Sequence, residues 1–323
     1  MRSIYKLALL SILLFQNGTT AQTIAQTTGC NDPKASNFNR TALYNDGSCL
    51  YSDTILKPIS TLELPKIIPE TSGLLLWNHQ LWTQNDGGND NSIFAMDTLT
   101  GKVLNSYHLK ATINHDWEEI SQDQDYLYVG DFGNNACGCR TDLNILRVSK
   151  KSLLANNPKV DSIQFSYPNQ LSVSPQKGNQ TEFDCEAFVV LRDSIYLFTK
   201  QWSSGKTSLY ALPKIPGKYQ AHYNGSLDVK GLVTGAVYIE SKKMIALCGY
   251  TKFFQTFMYL LYDFRGNEFF SGNKRKMSLA LSFHQVEGIT STDGKKFYLS
   301  NEQFSRPPYF SNPQQLHIIQ LKQ

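Results

Sequence analysis

A short motif returns five times along this chain, each time setting an oxygen-bearing side chain just ahead of an apolar strand. The copies are Glu70-Thr-Ser72-Gly-Leu, Asp116-Trp-Glu118-Glu-Ile, Asp184-Cys-Glu186-Ala-Phe, Leu232-Val-Thr234-Gly-Ala and Gln285-Val-Glu287-Gly-Ile. About ten residues after each copy comes a second apolar strand, as in Tyr126-Leu-Tyr-Val and Ile195-Tyr-Leu-Phe. With Ser72, Glu118, Glu186, Thr234 and Glu287 equivalent, the spacings are 46, 68, 48 and 53 residues. A period near 50 with several strands per unit specifies a β-propeller, one repeat per blade.

The strand patterns group in fours from Pro58 onward. The fifth unit is one strand short, while Ile59–Leu64 is left over before the first. The two deficits cancel if the N-terminal strand completes the last blade, which also removes an open edge. The expected fold is an all-β propeller of five four-stranded blades, with six left open by the long second interval. No long stretch with a 3.6-residue period occurs. A hydrophobic content of 41 %, with seventeen Tyr and eighteen Phe, suits stacked sheets.

In a propeller the first strand of each blade lines the central channel. If side chains alternate strictly, the motif yields two stacked layers. One is Ser72, Glu118, Glu186, Thr234 and Glu287; the other is Glu70, Asp116, Asp184, Leu232 and Gln285. Three glutamates on a narrow axis repel one another unless they take up protons or a cation neutralises them. Calcium suits this donor set, with six to eight oxygens at roughly 2.3–2.6 Å. Neither layer contains His or Cys, which argues against zinc or copper. The competing reading is that the acids cap strand starts and pair with Lys or backbone amides. A rim at the ends of second strands, Asn85-Asp86, Asp131, Lys200, Tyr250 and Asn301-Glu302, is the candidate ligand surface above the ion. His115 and His284, three residues ahead of Glu118 and Glu287, are expected to face away from the channel. Trp82, Trp117 and Trp202 are expected in packing between blades.

The first residues read as a secretory signal peptide: Arg2 and Lys6, an apolar run Leu7 to Phe15, and small residues before Gln22. Losing residues 1–21 removes Arg2 and Lys6 and no acid, leaving 29 basic against 27 acidic residues. That balance points to no nucleic-acid partner, and no stretch is long enough to span a membrane. The expected division is signal peptide 1–21, polar stub and small module 22–57, and propeller 58–323. Cys30 and Cys49 bracket the module and are expected to pair. Cys137-Gly-Cys139 is expected to form a loop disulfide with another cysteine or to stay as two thiols. Cys185 and Cys248 read as buried apolar residues.

Residues 30–51 resemble a two-cysteine module of secreted and surface proteins of the Bacteroidetes. Cys30, Asp32, Ala35, Asn37, Asp46, Gly47, Ser48, Cys49 and Tyr51 fall in its pattern. The resemblance implies an extracytoplasmic bacterial protein. The first-strand motifs resemble those of the calcium-activated nucleotidase (apyrase) propellers, which implies that Ser72, Glu118, Glu186, Thr234 and Glu287 surround Ca²⁺. Lys200 is the lone basic residue at the strand ends that would grip phosphate there. Glu118 followed by Tyr128-Val-Gly-Asp131 is similar to the gluconolactonase and esterase-like phytase propellers, which implies an axial metal. The overall motif set is also similar to secreted propellers of the Bacteroidetes. No complete nucleophile, base or phosphate clamp is present. The sequence is therefore read as a monomeric binding or surface-interaction module for a small molecule, glycan or protein. The alternative is a Ca²⁺-dependent hydrolase of a phosphate ester or lactone at the channel mouth.

Overall fold

The computed structural model describes residues 27–321, so the signal-peptide reading of residues 1–21 lies outside the described residues. Five antiparallel sheets follow one another in a ring. Blade one runs Thr71–Trp77, Gln80–Asn85, Ser92–Asp97 and Val103–His108, from the axis outward. Blade two is Trp117–Gln122, Tyr126–Asp131, Asn144–Ser149 and Val160–Ser166. Blade three is Asp184–Leu191, Ser194–Lys200, Thr207–Pro213 and His222–Leu227. Blade four is Leu232–Ile239, Met244–Tyr250, Thr256–Tyr262 and Asn273–Leu279. Blade five joins Val286–Thr290, Lys296–Asn301 and Gln315–Gln320 to the N-terminal strand Pro58–Glu63, which pairs antiparallel with Gln315–Gln320. The ring is closed by the strand left over in the sequence.

The core of the ring is divided into five, one cluster for each blade-to-blade seam, and a small sixth cluster of Cys30, Ala35 and Cys49 lies in the N-terminal module. Tyr128 and Phe132 meet Phe188 and Tyr210 between blades two and three, for example, and Leu74 and Phe94 meet Tyr298 and Leu316 where blade one meets blade five. Each fully buried Leu or Phe in such a seam contributes about 1.5–3 kcal/mol relative to exposure.

The long second interval makes no sixth blade. It forms a loop whose Gln176 N–H donates to Cys137 O at 2.7 Å and whose Asn179 N–H donates to Asn135 O at 2.9 Å. Cys137 and Cys139 are bonded to each other, which corrects the expectation that they pair elsewhere or stay free. Cys30 and Cys49 are bonded as expected, and Cys185 and Cys248 are buried thiols. Two outer additions were not foreseen. Gly217–Gln220 pairs parallel with the last strand of blade two, and Ile55–Leu56 pairs parallel with the last strand of blade four.

Strict alternation along the first strands does not hold. Every first strand carries a β-bulge at the motif. In blades two to five, Glu118, Glu186, Thr234 and Glu287 are the residues skipped by the pairing with the second strand; in blade one the skip falls at Gly73-Leu74. A bulge re-aims side chains and can put neighbouring residues on one side of the strand.

Candidate functional site

The bulges set two consecutive glutamates of blade two in different places near the axis. Glu119 is fully buried; its Oε2 accepts from the Ala236 N–H of blade four at 2.8 Å and its Oε1 from the Ile120 N–H at 2.9 Å. Glycine lets the neighbouring strands close around it. Gly73 adopts φ +68°, and a Cβ there would lie 2.6 Å from Ile120 N and 2.7 Å from Glu119 Oε1. Burial holds the Glu119 carboxyl well above the ordinary range. Its bonds to backbone amides reach from blade two to blade four, so this residue ties blades together.

Glu118 belongs to a carboxyl cluster where the first strands begin. Oxygens of Asp86, Asp116 and Glu118 lie within 4.8 Å of one another, and so do oxygens of Glu118, Asp184 and Glu186. Glu118 is common to both groups, is 3 % exposed, and has no hydrogen-bond partner for its carboxylate among the described residues. Gly133 makes this packing feasible, because a Cβ there would overlap Glu118 Oε1 and Asp116 Oδ2. A Cβ on Gly87 would collide with Asp116 Oδ1 in the same way.

Burial and mutual repulsion raise these carboxyls. Burial drives Asp86 up to about 6, with Glu70 and Asp184 adding to it against Lys200. Asp116 is pushed up to about 7 by burial, then by Asp86 and Asp184. Glu118 is held well above the ordinary range by burial, then by Asp86, Glu186 and Asp116. On the other side stands Lys200, whose Nζ contacts both oxygens of Glu186 and lies 3.2 Å from the Tyr250 hydroxyl. Burial works against the ammonium, but Glu186, Tyr250 and Glu287 outweigh it and raise its pKa. Glu287 is pushed up to about 7 by burial, with Lys200 opposing; its Oε2 is buried without a partner. The cluster therefore has two halves. Lys200 serves Glu186 and Glu287, whereas Asp86, Asp116 and Glu118 have no ammonium of their own.

The other residues expected from the sequence are placed as follows. The Ser72 hydroxyl donates to Glu118 O and the Thr234 hydroxyl to Val286 O, so both stitch neighbouring first strands together. Asp184 accepts from Asn134 N–H at 2.7 Å and from Trp202 Nε1 at 2.7 Å. Glu70 is exposed and bonded by Asn89; Gln285 donates to Glu302 at 2.5 Å. At the rim, Asp131 is paired with Arg140 at 2.9 Å, and Asn85 and Asn301 donate to backbone carbonyls. Lys200 leaves the rim and enters the buried cluster. Trp82 and Trp117 are buried in a seam as expected, but Trp202 lies against Lys200, 4.6 Å from ring centre to Nζ. His115 is exposed, and His284 bonds Ser282 O and Gln315.

No protein-family model matches the chain, and no curated protein matches it. Solved structures do resemble it. Regucalcin from Agrobacterium tumefaciens, a calcium-binding protein, aligns over 84 % of this chain and 98 % of its own, with a TM-score of 0.42 and 10 % identity. Hydrazine synthase from Kuenenia stuttgartiensis aligns over 80 % of this chain, which spans 65 % of that chain, with a TM-score of 0.39 and 12 % identity. The Dos1 propeller aligns over 71 % of this chain and 52 % of its own, with a TM-score of 0.37 and 13 % identity. Similarity at this level bears on no site or activity.

One participant escaped the sequence reading of the channel, Glu119; Asp86, Tyr250 and Glu302 belong to the rim expected above the ion and stand instead in or against the buried cluster. These three sit at or just past the ends of second strands, where turn chemistry is the competing reading. Glu119 left one trace, since two consecutive acids opening an apolar strand are rare where only one can face solvent.

Proposed function

We propose that this protein is an exported propeller that holds Ca²⁺ in its central carboxyl cluster and works as a binding or surface-interaction module for a small molecule, glycan or protein. The observation that carries the reading is Glu118, buried without a hydrogen-bond donor between Asp86 and Asp116 on one side and Asp184 and Glu186 on the other. Unless it takes up a proton, a carboxylate in that position needs a counter-charge. A hard cation supplies it, and two oxygens bound to one Ca²⁺ stand at most about 5 Å apart, as these groups allow. Asp86, Asp116 and Glu118 would hold the ion, with Asp184 beside them. Of the ring first inferred, Glu186 and Glu287 would act through Lys200, and Ser72 and Thr234 would position the first strands. Two disulfides support an oxidising, extracytoplasmic compartment. Residues 22–57 as a separate module and 58–323 as the propeller belong to the same reading. Calorimetric titration of Ca²⁺ into chelator-treated protein tests it: saturable binding with a raised melting temperature is expected, and no heat with unchanged melting would remove the ion.

A hydrolytic reading is favoured by one observation. A cavity of about 360 Å³ at the channel mouth has Trp202, Tyr250 and Gln285 in its wall, and each is hydrogen-bonded to the carboxyl cluster or to Lys200. Lys252 and Arg306 stand at the same cavity. Turnover of phosphate esters or lactones with Ca²⁺ present, lost in a folded Glu118→Gln variant, would favour this second reading.

A further inference from the structure

At the opposite ends of the same strands, the seam between blades four and five holds a cavity of about 840 Å³, within the range of small-molecule sites. The course of the chain creates it. Ile55–Leu56 lies on the outer edge of blade four, and Pro58–Glu63 is already the outer strand of blade five. The linker thus crosses the seam as a strap while the blades diverge beneath it. The floor is apolar: Leu56, Met244, Leu260, Met277 and Leu321. Methionine adapts its shape to an irregular apolar guest.

The rim has a strong charge bias. Lys34, Lys57, Lys242, Arg275 and Lys295 line the cavity, in a chain whose overall basic and acidic counts are nearly equal. Its one acid, Asp32, already accepts from the Tyr51 and Tyr262 hydroxyls. None of the five cations has a carboxylate within ion-pair distance among the described residues. Arg275 goes further: its Nε is buried with no hydrogen-bond partner, beside the Tyr51 ring at 5.6 Å. A buried donor without an acceptor is costly, and a guanidinium is shaped to take a carboxylate on two N–H groups.

We infer that this cavity is a second binding site, separate from the carboxyl cluster, for a single-chain anionic amphiphile of the fatty-acid type. The carboxylate lies on Arg275 with the surrounding lysines, and the tail covers the methionine floor. Calorimetric titration of dodecanoate, below its micelle concentration, into the full chain tests it. Saturable one-site binding is expected. Dodecanol, with a similar tail and no charge, should bind at least tenfold more weakly, and Arg275→Gln should weaken dodecanoate at least tenfold. Should Arg275→Gln fail to melt cooperatively, Lys242→Glu with Lys295→Glu serves instead, with a loss of at least fivefold. Binding should be unchanged by chelator and in Glu118→Gln, so it stands or falls apart from the calcium reading. Absent binding, equal affinity for dodecanol, or an acidic peptide binding where dodecanoate does not would overturn the inference.

Discussion

Glu118 and Glu119 are neighbours on one bulge and both are buried, yet substitution should affect them in opposite ways. Glu118 has no donor, and its charge is opposed by four carboxyls. Glu118→Gln should lower Ca²⁺ affinity at least tenfold. It should also leave the chelated protein as stable as before or more so at pH 7.5, because it removes a buried like charge. Titration calorimetry and urea melts of the same samples check both statements. Glu119 accepts from the N–H groups of Ile120 and Ala236. Glu119→Ala orphans two buried amide donors, each worth about 1–3 kcal/mol. A loss of roughly 2–6 kcal/mol in urea melts is expected, with Ca²⁺ still raising the melting temperature of whatever remains folded. Equal behaviour of the two variants would mean that the bulge does not sort them as described.

Among the elements, the closing strand Pro58–Glu63 has the most specific attachment. Asn301 uses its amide N–H groups on Glu302 O and Pro313 O, so its Oδ1 accepts from His317 Nε2 at 2.7 Å. Nδ1 is then free to accept from the Thr61 hydroxyl on the closing strand at 2.9 Å. That network has no room for a second proton, and burial, aided by His284, pushes His317 down to about 3. The histidine therefore contributes stability above its ordinary value of 6.5 that is lost as pH falls from there toward 3. His317→Ala should cost about 1–3 kcal/mol in urea melts at pH 7.5 by stranding Thr61 and Asn301. A change below about 0.5 kcal/mol would deny the closing strand this anchor. The strand itself was legible in the sequence, because a surplus Ile59–Leu64 at one end matched a deficit at the other. The blades were legible for a similar reason: paired apolar runs recur at a steady period. The bulges were not, because strict alternation is the default expectation for a strand and nothing in Glu118-Glu119-Ile120 announces a skipped residue. Lys200 was legible only as a strand end. Its entry into the channel depends on facing Asp184 across blade three and on Glu186 being bulged toward it. The pairing of Ile55–Leu56 with blade four joins segments more than two hundred residues apart, and no local pattern encodes it.

In the whole molecule, five apolar seams hold the ring tightly enough to keep a set of carboxyls out of water, and that confinement gives stability a dependence on pH. Asp86, Asp116 and Glu287 are raised to about 6, 7 and 7 from ordinary values of 3.8, 3.8 and 4.5. A carboxyl whose folded pKa is raised binds its proton more tightly folded than unfolded. Its contribution is full below about pH 4 and is lost as pH rises through 7. His317 acts in the opposite sense over part of the same range, but Glu118 and Glu119 are raised as well, so the carboxyls outnumber it. Chelated protein should therefore lose stability between about pH 4.5 and 7 and level off above. A bound cation reverses the slope, because it favours the ionised carboxyls and is displaced by their protons. The difference in melting temperature between calcium-loaded and chelated protein should be small at pH 5, widen to pH 7.5 and then flatten. Thermal melts at fixed ionic strength across that range, with and without calcium, measure it. A difference that stays constant with pH would place the ion away from Asp86, Asp116 and Glu118, since proton competition is inseparable from binding among carboxyls that have been raised this far.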